Sequence, residues 1–246
     1  MMFDRLREAG FDLHFTNHAQ AIFAHDFPDL IDEIEVALLA VRLPITEIIG
    51  GGGGEAKMTQ RLRRALADLQ WPKHNFIVTK TVDGVPKEST SHEIDHVRRT
   101  DCGTVAFEIE WNNKDPFFDR DLENFKRLHA EGAISLGGIV TRGSDMQATM
   151  RDRISAFAEA REITDYAGLD AFGAGSPTGP QKTQIEADRN RGTPFAQAWS
   201  RKFTADKYGM ATTHWSKLQD RIARGVGNPC PLVLIGLPAT IIDMDC

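Results

Sequence analysis

A chain of 246 residues, 41% of them hydrophobic and 26% charged, is long enough to bury a substantial core, and we expect a single domain over residues 1–246. No run of about 18 apolar residues exists to span a bilayer, and residues 1–10 lack the charged-then-apolar order of a secretion signal, so a cytoplasmic protein is expected. Cys102, Cys230 and Cys246 are odd in number and wrongly spaced for a zinc site or a disulfide framework, which predicts free thiols.

Residues 29–42 carry Leu30, Ile31, Ile34, Leu38 and Val41 at helical spacing, with Pro28 at the entry and Pro44 beyond the end. Gly50 to Gly54 follow and predict a flexible loop. They do not form a phosphate-binding P-loop, because Glu55-Ala56-Lys57 stands where that motif needs Gly-Lys-Ser/Thr. A second helix is expected over residues 56–70, with Met58, Leu62, Leu66 and Leu69 inward and a basic outer face.

The period then changes. Residues 75–81, 93–98 and 104–111 are short and β-rich, separated by turns at Asp83-Gly84 and Asp101-Cys102-Gly103, and predict an antiparallel meander. A helix over 119–131 places Asp119 and Asp121 at its positive end and stops at Gly132. A buried strand over 134–141 and a helix over 144–161, with Met146 and Met150 as core residues, come next. Residues 168–180 are rich in Gly and Pro and read as a surface loop, Thr193-Pro194 opens a helix through Arg201, and 231–237 form an apolar strand.

The net charge of −6 argues at face value against a nucleic-acid partner. Between residues 181 and 225, however, nine Lys or Arg stand against four acids, so the C-terminal third is either a phosphate-facing surface or a solvated basic one. His14 and His18 are four apart but have no third ligand nearby, which speaks against zinc. Trp71, Trp111, Trp199 and Trp215 are expected as core anchors.

The stretch most informative about chemistry is HEIDHVRRTDCGTVAFEIEWNNKDPFF, residues 92–118. Strand alternation puts Val105, Phe107, Ile109 and Trp111 on one face and Glu108 with Glu110 on the other. Asp95, on the preceding strand of a hairpin, reaches the same face if the register is right. Three converging acids form a hard-oxygen site suited to Mg²⁺ and to phosphodiester hydrolysis, in which a metal activates water and stabilises the leaving oxygen. An exposed strand face with basic neighbours is the plainer alternative.

Asp95, twelve residues, then Glu108-Ile109-Glu110 resembles the PD-(D/E)XK nuclease core. The run FEIEWNNKDPFFDRDLENFKRLHAEGAISLGGIVTRG, residues 107–143, is similar to the BglII/BstYI family of type II restriction endonucleases. The resemblance covers about a third of the chain strongly. It implies an α/β fold with a mixed central sheet flanked by helices, and a homodimer that cuts both strands of a short palindrome, with a GATC centre and 5′ overhangs, in a restriction-modification system.

By that resemblance Asp95 and Glu108 are metal-binding acids and Glu110 the third catalytic group. Glu110 replaces the Lys of the general motif and the Gln associated with BglII, as in the related enzyme BamHI, which leaves its role as base or water-holder open. The resemblance also places Asn112 and Asn113 at a base-contacting position, where an amide suits an adenine edge. Lys114 is a candidate for phosphate, Arg142 beside Thr141 for guanine or phosphate, and Tyr208 and Ser216 for direct readout. A junction or repair nuclease on the same fold, and a DNA-binding protein without catalysis, are the rival readings.

Overall fold

The computed structural model describes residues 2–51 and 54–245, so Cys246 and the middle of the predicted glycine loop lie outside the described residues. The chain begins with α1 (Asp4–Glu8), β1 (Asp12–Thr16), α2 (Ala19–Asp26) and α3 (Pro28–Leu39), followed by β2 (Leu43–Pro44), α4 (Ile45–Ile49) and α5 (Lys57–Asp68). A hairpin of β3 (His74–Val82) and β4 (Val85–Ile94) precedes β5 (His96–Thr100), β6 (Gly103–Glu110), α6 (Phe117–Ala130), β7 (Leu136–Arg142) and α7 (Ser144–Ala160). The remainder is mostly helical: α8 (Tyr166–Asp170), α9 (Gly179–Arg189), α10 (Phe195–Lys207) and α11 (Trp215–Ala223) lead to β8 (Leu232–Leu237) and the short β9 (Ile242–Asp243).

The central sheet runs β1-β8-β7-β6-β5. Its inner strands β6, β7 and β8 are parallel, and the edges β1 and β5 are antiparallel to their neighbours. The parallel strands β7 and β8 are buried along their whole length, as a sheet covered on both faces requires. On one face Val105, Phe107, Ile109 and Trp111 join the larger core with Leu30, Ile34, Leu38, Met58, Leu62, Met146 and Met150. On the other, Ala106, Ile139, Leu232 and Leu234 pack with Phe118, Leu122 and Phe125 of α6. Gly138 lets the Phe107 ring lie flat against β7, since a Cβ there would sit 2.3 Å from the ring. This is an α/β fold with a mixed sheet between helices, compatible with a restriction endonuclease-like core.

Several expectations need correction. The meander is two structures: β3 and β4 pair only with each other, while β5 and β6 pair within the central sheet. The strand expected over 93–98 breaks at Asp95, because the chain must bend there to pass from the hairpin to the sheet. Residues 85–91 belong to β4 although they are polar, since the hairpin stands mostly in solvent and carries no apolar alternation. The loop expected over 168–180 contains the end of α8 and the start of α9, the latter closed by a Thr178–Gln181 capping box. His14 lies on β1 and His18 ahead of α2, so they share no helix face. Trp71, Trp111 and Trp199 are core residues as expected, whereas Trp215 is only half-buried.

Candidate active site

Strand β6 delivers Glu108 and Glu110 to the sheet face covered by α6. Register with β7 fixes them, Glu108 against Ile139 and Glu110 against Thr141, and the Thr141 hydroxyl donates to the Glu110 carbonyl at 2.7 Å. Both carboxyl groups are buried, 4% and 3% exposed, which removes the plainer reading of a solvated strand face. Across the β5–β6 ladder His96 pairs with Phe107. Asp95 follows at the bend between β4 and β5, one residue outside that ladder, half-exposed, and near enough for its charge to act on Glu108.

A fourth acid completes the cluster. Asp121, fully buried on the first turns of α6, accepts from Arg120 Nε at 2.8 Å through Oδ1, while its Oδ2 is buried without an ordinary donor. Asp121 lies near enough to Glu110 to raise its pKa. The Asn113 amide donates to Glu110 Oε2 at 2.7 Å, and Arg120 Nη2 lies 3.4 Å from Glu110 Oε1. Sequence reading noted Asp121 only as a helix-terminal charge. Its helical position, with the apolar Leu122 and Phe125 inward beside it, was the available signal that it faces the sheet rather than water.

Burial, reinforced at Glu108 and Glu110 by the neighbouring charge of Asp121, disfavours the ionised forms of these carboxyls. Glu108 is raised well above the ordinary range, first by burial and then by Asp121, Asp95 and Glu110. Glu110 is pushed up to about 8 by burial and Asp121, against the opposing pull of Asn113 and Arg120. Asp121 is also raised by burial, against the pull of Glu110 and Arg120.

Among the described residues no three acids or histidines close into a ready-made cation cage, and the Asp95 carboxylate leans on Lys73 Nζ at 3.2 Å. The donor chemistry nevertheless fits a hard divalent cation: all the groups are carboxylates, Glu108, Glu110 and Asp121 buried and Asp95 half-exposed beside them, and one oxygen of Asp121 lacks a donor. A bound cation would offset the burial and the mutual repulsion that disfavour the ionised forms of Glu108 and Glu110.

The other candidate residues divide into exposed and buried groups. Asn113 and Lys114 are exposed just past β6, and Ser216 is exposed with its hydroxyl 3.2 Å from His214 Nδ1. Asn112 is half-buried and its amide donates to the Lys207 carbonyl. Thr141, Arg142 and Tyr208, also candidates for DNA contact, are turned inward in the chain by itself.

Arg142 lies near the rings of Trp111 and Tyr208 and donates to the Thr213 carbonyl and the Thr212 hydroxyl. Tyr208 donates its hydroxyl to the Ile48 carbonyl. These contacts brace the segment 212–213, which is zipped to Asn113 and Lys114 by Thr213 N to Asn113 O at 2.9 Å and by the Lys114–Thr212 bridge. Arg142 thus fixes the loop that carries Asn113, and through it the donor on Glu110.

The basic C-terminal third is largely paired. Asp188 holds Arg191 and Arg201, Asp206 holds Lys202, and Asp115 with Asp119 holds Arg221. The local charge excess is therefore spread among internal ion pairs, closer to a solvated face than to a phosphate-facing stripe.

A family model described as restriction endonuclease BglII/BglIII matches residues 11–237, most of the chain and the whole of the central sheet. No curated protein matches the chain.

Proposed function

As a member of the BglII/BglIII restriction endonuclease family, and hence a type II site-specific deoxyribonuclease acting on double-stranded DNA, this chain, we propose, hydrolyses one phosphodiester in each strand of a short palindrome using Mg²⁺ held by Asp95 and Glu108. The observation that supports the reading is the pair Glu108 and Glu110, buried two residues apart on β6, with Asp95 just beyond the end of the β5–β6 ladder and near enough for its charge to act on Glu108.

When bound, Mg²⁺ would lower the pKa of a water and neutralise charge developing on the phosphate and the leaving 3′ oxygen. The protein's own groups do the rest. Glu110, with Asn113 on one oxygen and Arg120 near the other, orients the attacking water and takes its proton. Asn113, half-buried Asn112, Lys114 and Ser216 lie on the side from which a duplex would approach β6, with the amides suited to an adenine edge and Lys114 to a phosphate. Thr141, Arg142 and Tyr208 support these loops from beneath.

We further propose a single domain that works as a homodimer, since a twofold enzyme matches a twofold site and each subunit then cuts one strand. A GATC centre, 5′ overhangs, cytoplasmic residence and a partner modification enzyme rest on the family alone. Digestion of phage DNA with and without Mg²⁺, followed by sequencing of the ends, tests the reading. Discrete fragments with one common terminus, formed only with the metal, support it. A smear points to a structure-specific nuclease, and binding without cutting points to a non-catalytic DNA-binding protein.

A further inference from the structure

We propose that Arg120 is a substrate-contacting residue of this site, placing its guanidinium on a phosphate oxygen of the DNA backbone at the point of cleavage, with Asp121 and Phe117 as the groups that position it. The proposal rests on the nuclease reading and adds to it the cation that the strand itself does not supply, since an acid stands at residue 110 where the general motif carries a lysine.

Two cations reach the acid cluster. Lys73 is committed to the outer edge, between Glu93 at 2.8 Å and Asp95 at 3.2 Å. Arg120 enters from α6, on the side of Glu110. Its Nε is fixed on Asp121 Oδ1 at 2.8 Å, its Nη2 lies 3.4 Å from Glu110 Oε1, and the guanidinium lies 4.4 Å from the centre of the Phe117 ring. Nη1 makes no hydrogen bond among the described residues.

The side chain is 54% exposed although its two acidic partners are 4% and 0% exposed. A planar fork held by two of its nitrogens and open at the third is suited to a phosphate, which guanidinium groups bind with directional, charge-assisted hydrogen bonds. Asp121 makes sense in the same terms. A fully buried carboxylate beside Phe118 and Leu122 gives nothing to the packing of α6, but it anchors the arginine from within the protein.

The test compares wild-type protein with Arg120→Gln, Arg120→Lys and Asp121→Asn on a cognate duplex. Single-turnover cleavage is followed in Mg²⁺, and duplex binding is followed in Ca²⁺ over a range of salt. Arg120→Gln should cut about 100-fold more slowly, and the slope of log affinity against log salt should shrink by about one. Arg120→Lys should keep the salt slope and recover only part of the rate, because an ammonium offers no fork. Asp121→Asn should slow cleavage through loss of Arg120 orientation.

Because Arg120→Gln leaves the buried Asp121 without its cation, its melting temperature is expected to fall, and rate and salt slope are compared at a temperature where both proteins are fully folded. Wild-type cutting with an unchanged rate and slope in Arg120→Gln overturns the proposal. A slower rate with an unchanged slope also overturns it, by making Arg120 a brace for Glu110 alone. Wild-type protein that does not cut at all instead sinks the nuclease reading beneath it.

Discussion

The charge of Asp95 reaches Glu108 from the bend where the chain passes from one sheet into another, one residue before His96 pairs with Phe107. Asp95 sits at that corner half in water, with its carboxylate 3.2 Å from Lys73 Nζ, whereas Glu108 is buried. A buried carboxylate beside other acids costs folding free energy, which is expected of a group retained for a ligand.

The cost is measurable. Glu108 is protonated in the folded chain at a pH where the unfolded chain has released the proton, so its stabilising contribution is complete in acid and fades as pH rises above the unfolded value. Glu108→Gln should therefore raise the unfolding free energy of metal-free protein at pH 8, read from its urea midpoint, by about 1–2 kcal/mol, and by less at pH 5. Mg²⁺ should stabilise the wild type more than the variant. A lower midpoint for Glu108→Gln at pH 8 would refute the account of the cluster.

Arg142 carries the opposite expectation. It is fully buried, with hydrogen bonds to Thr212 and Thr213 and two aromatic rings beside it, and no acid among the described residues pairs with it. Burial pulls its pKa down to about 10, still charged at neutral pH. Arg142→Ala should cost about 3–5 kcal/mol in denaturant unfolding, because the Thr213 carbonyl and the aromatic slot lose their partner together. An exposed DNA-reading arginine would show a change within about 0.5 kcal/mol.

His96 and His214 set an acid limit. Both are buried, and burial above all pulls each down to about 4, with Arg142 adding to the effect at His214. An imidazole whose folded pKa is depressed contributes stability that is present above the unfolded value near 6.5 and is lost as pH falls toward 4. Denaturant unfolding should show stability dropping from pH 6.5 to pH 4, and His214→Gln should flatten part of that drop. A profile equally steep in the variant would remove His214 from the account.

Much of the site was legible in the sequence because strand alternation is strict. Once residues 104–111 were read as a strand, Glu108 and Glu110 had to share a face and Phe107 and Ile109 the other. The helices with clear apolar stripes, α3, α5, α6 and α7, were found to within a few residues for the same reason. What escaped depends on contacts distant in the chain. The short β1 finds its partner in β8, more than 200 residues away, and β4 is a polar ribbon whose pairing leaves no hydrophobic trace. Arg142 and Tyr208 are polar residues suited to DNA readout, and only the fold shows that Thr212, Thr213 and Ile48 already take up their hydrogen bonds. Asp121 was visible as a charge at a helix start, but its place beside Glu110 requires knowing which face of α6 meets the sheet.

The central claim is that Asp95 and Glu108 act as one unit, and single-turnover cleavage of a cognate duplex by Asp95→Asn, Glu108→Gln and the double variant tests it most directly. Groups that serve one site are not additive: each single variant should lose at least about 1000-fold, and the double variant should lose little beyond either. Near wild-type cutting by Asp95→Asn, or losses that simply multiply in the double variant, would contradict the shared site.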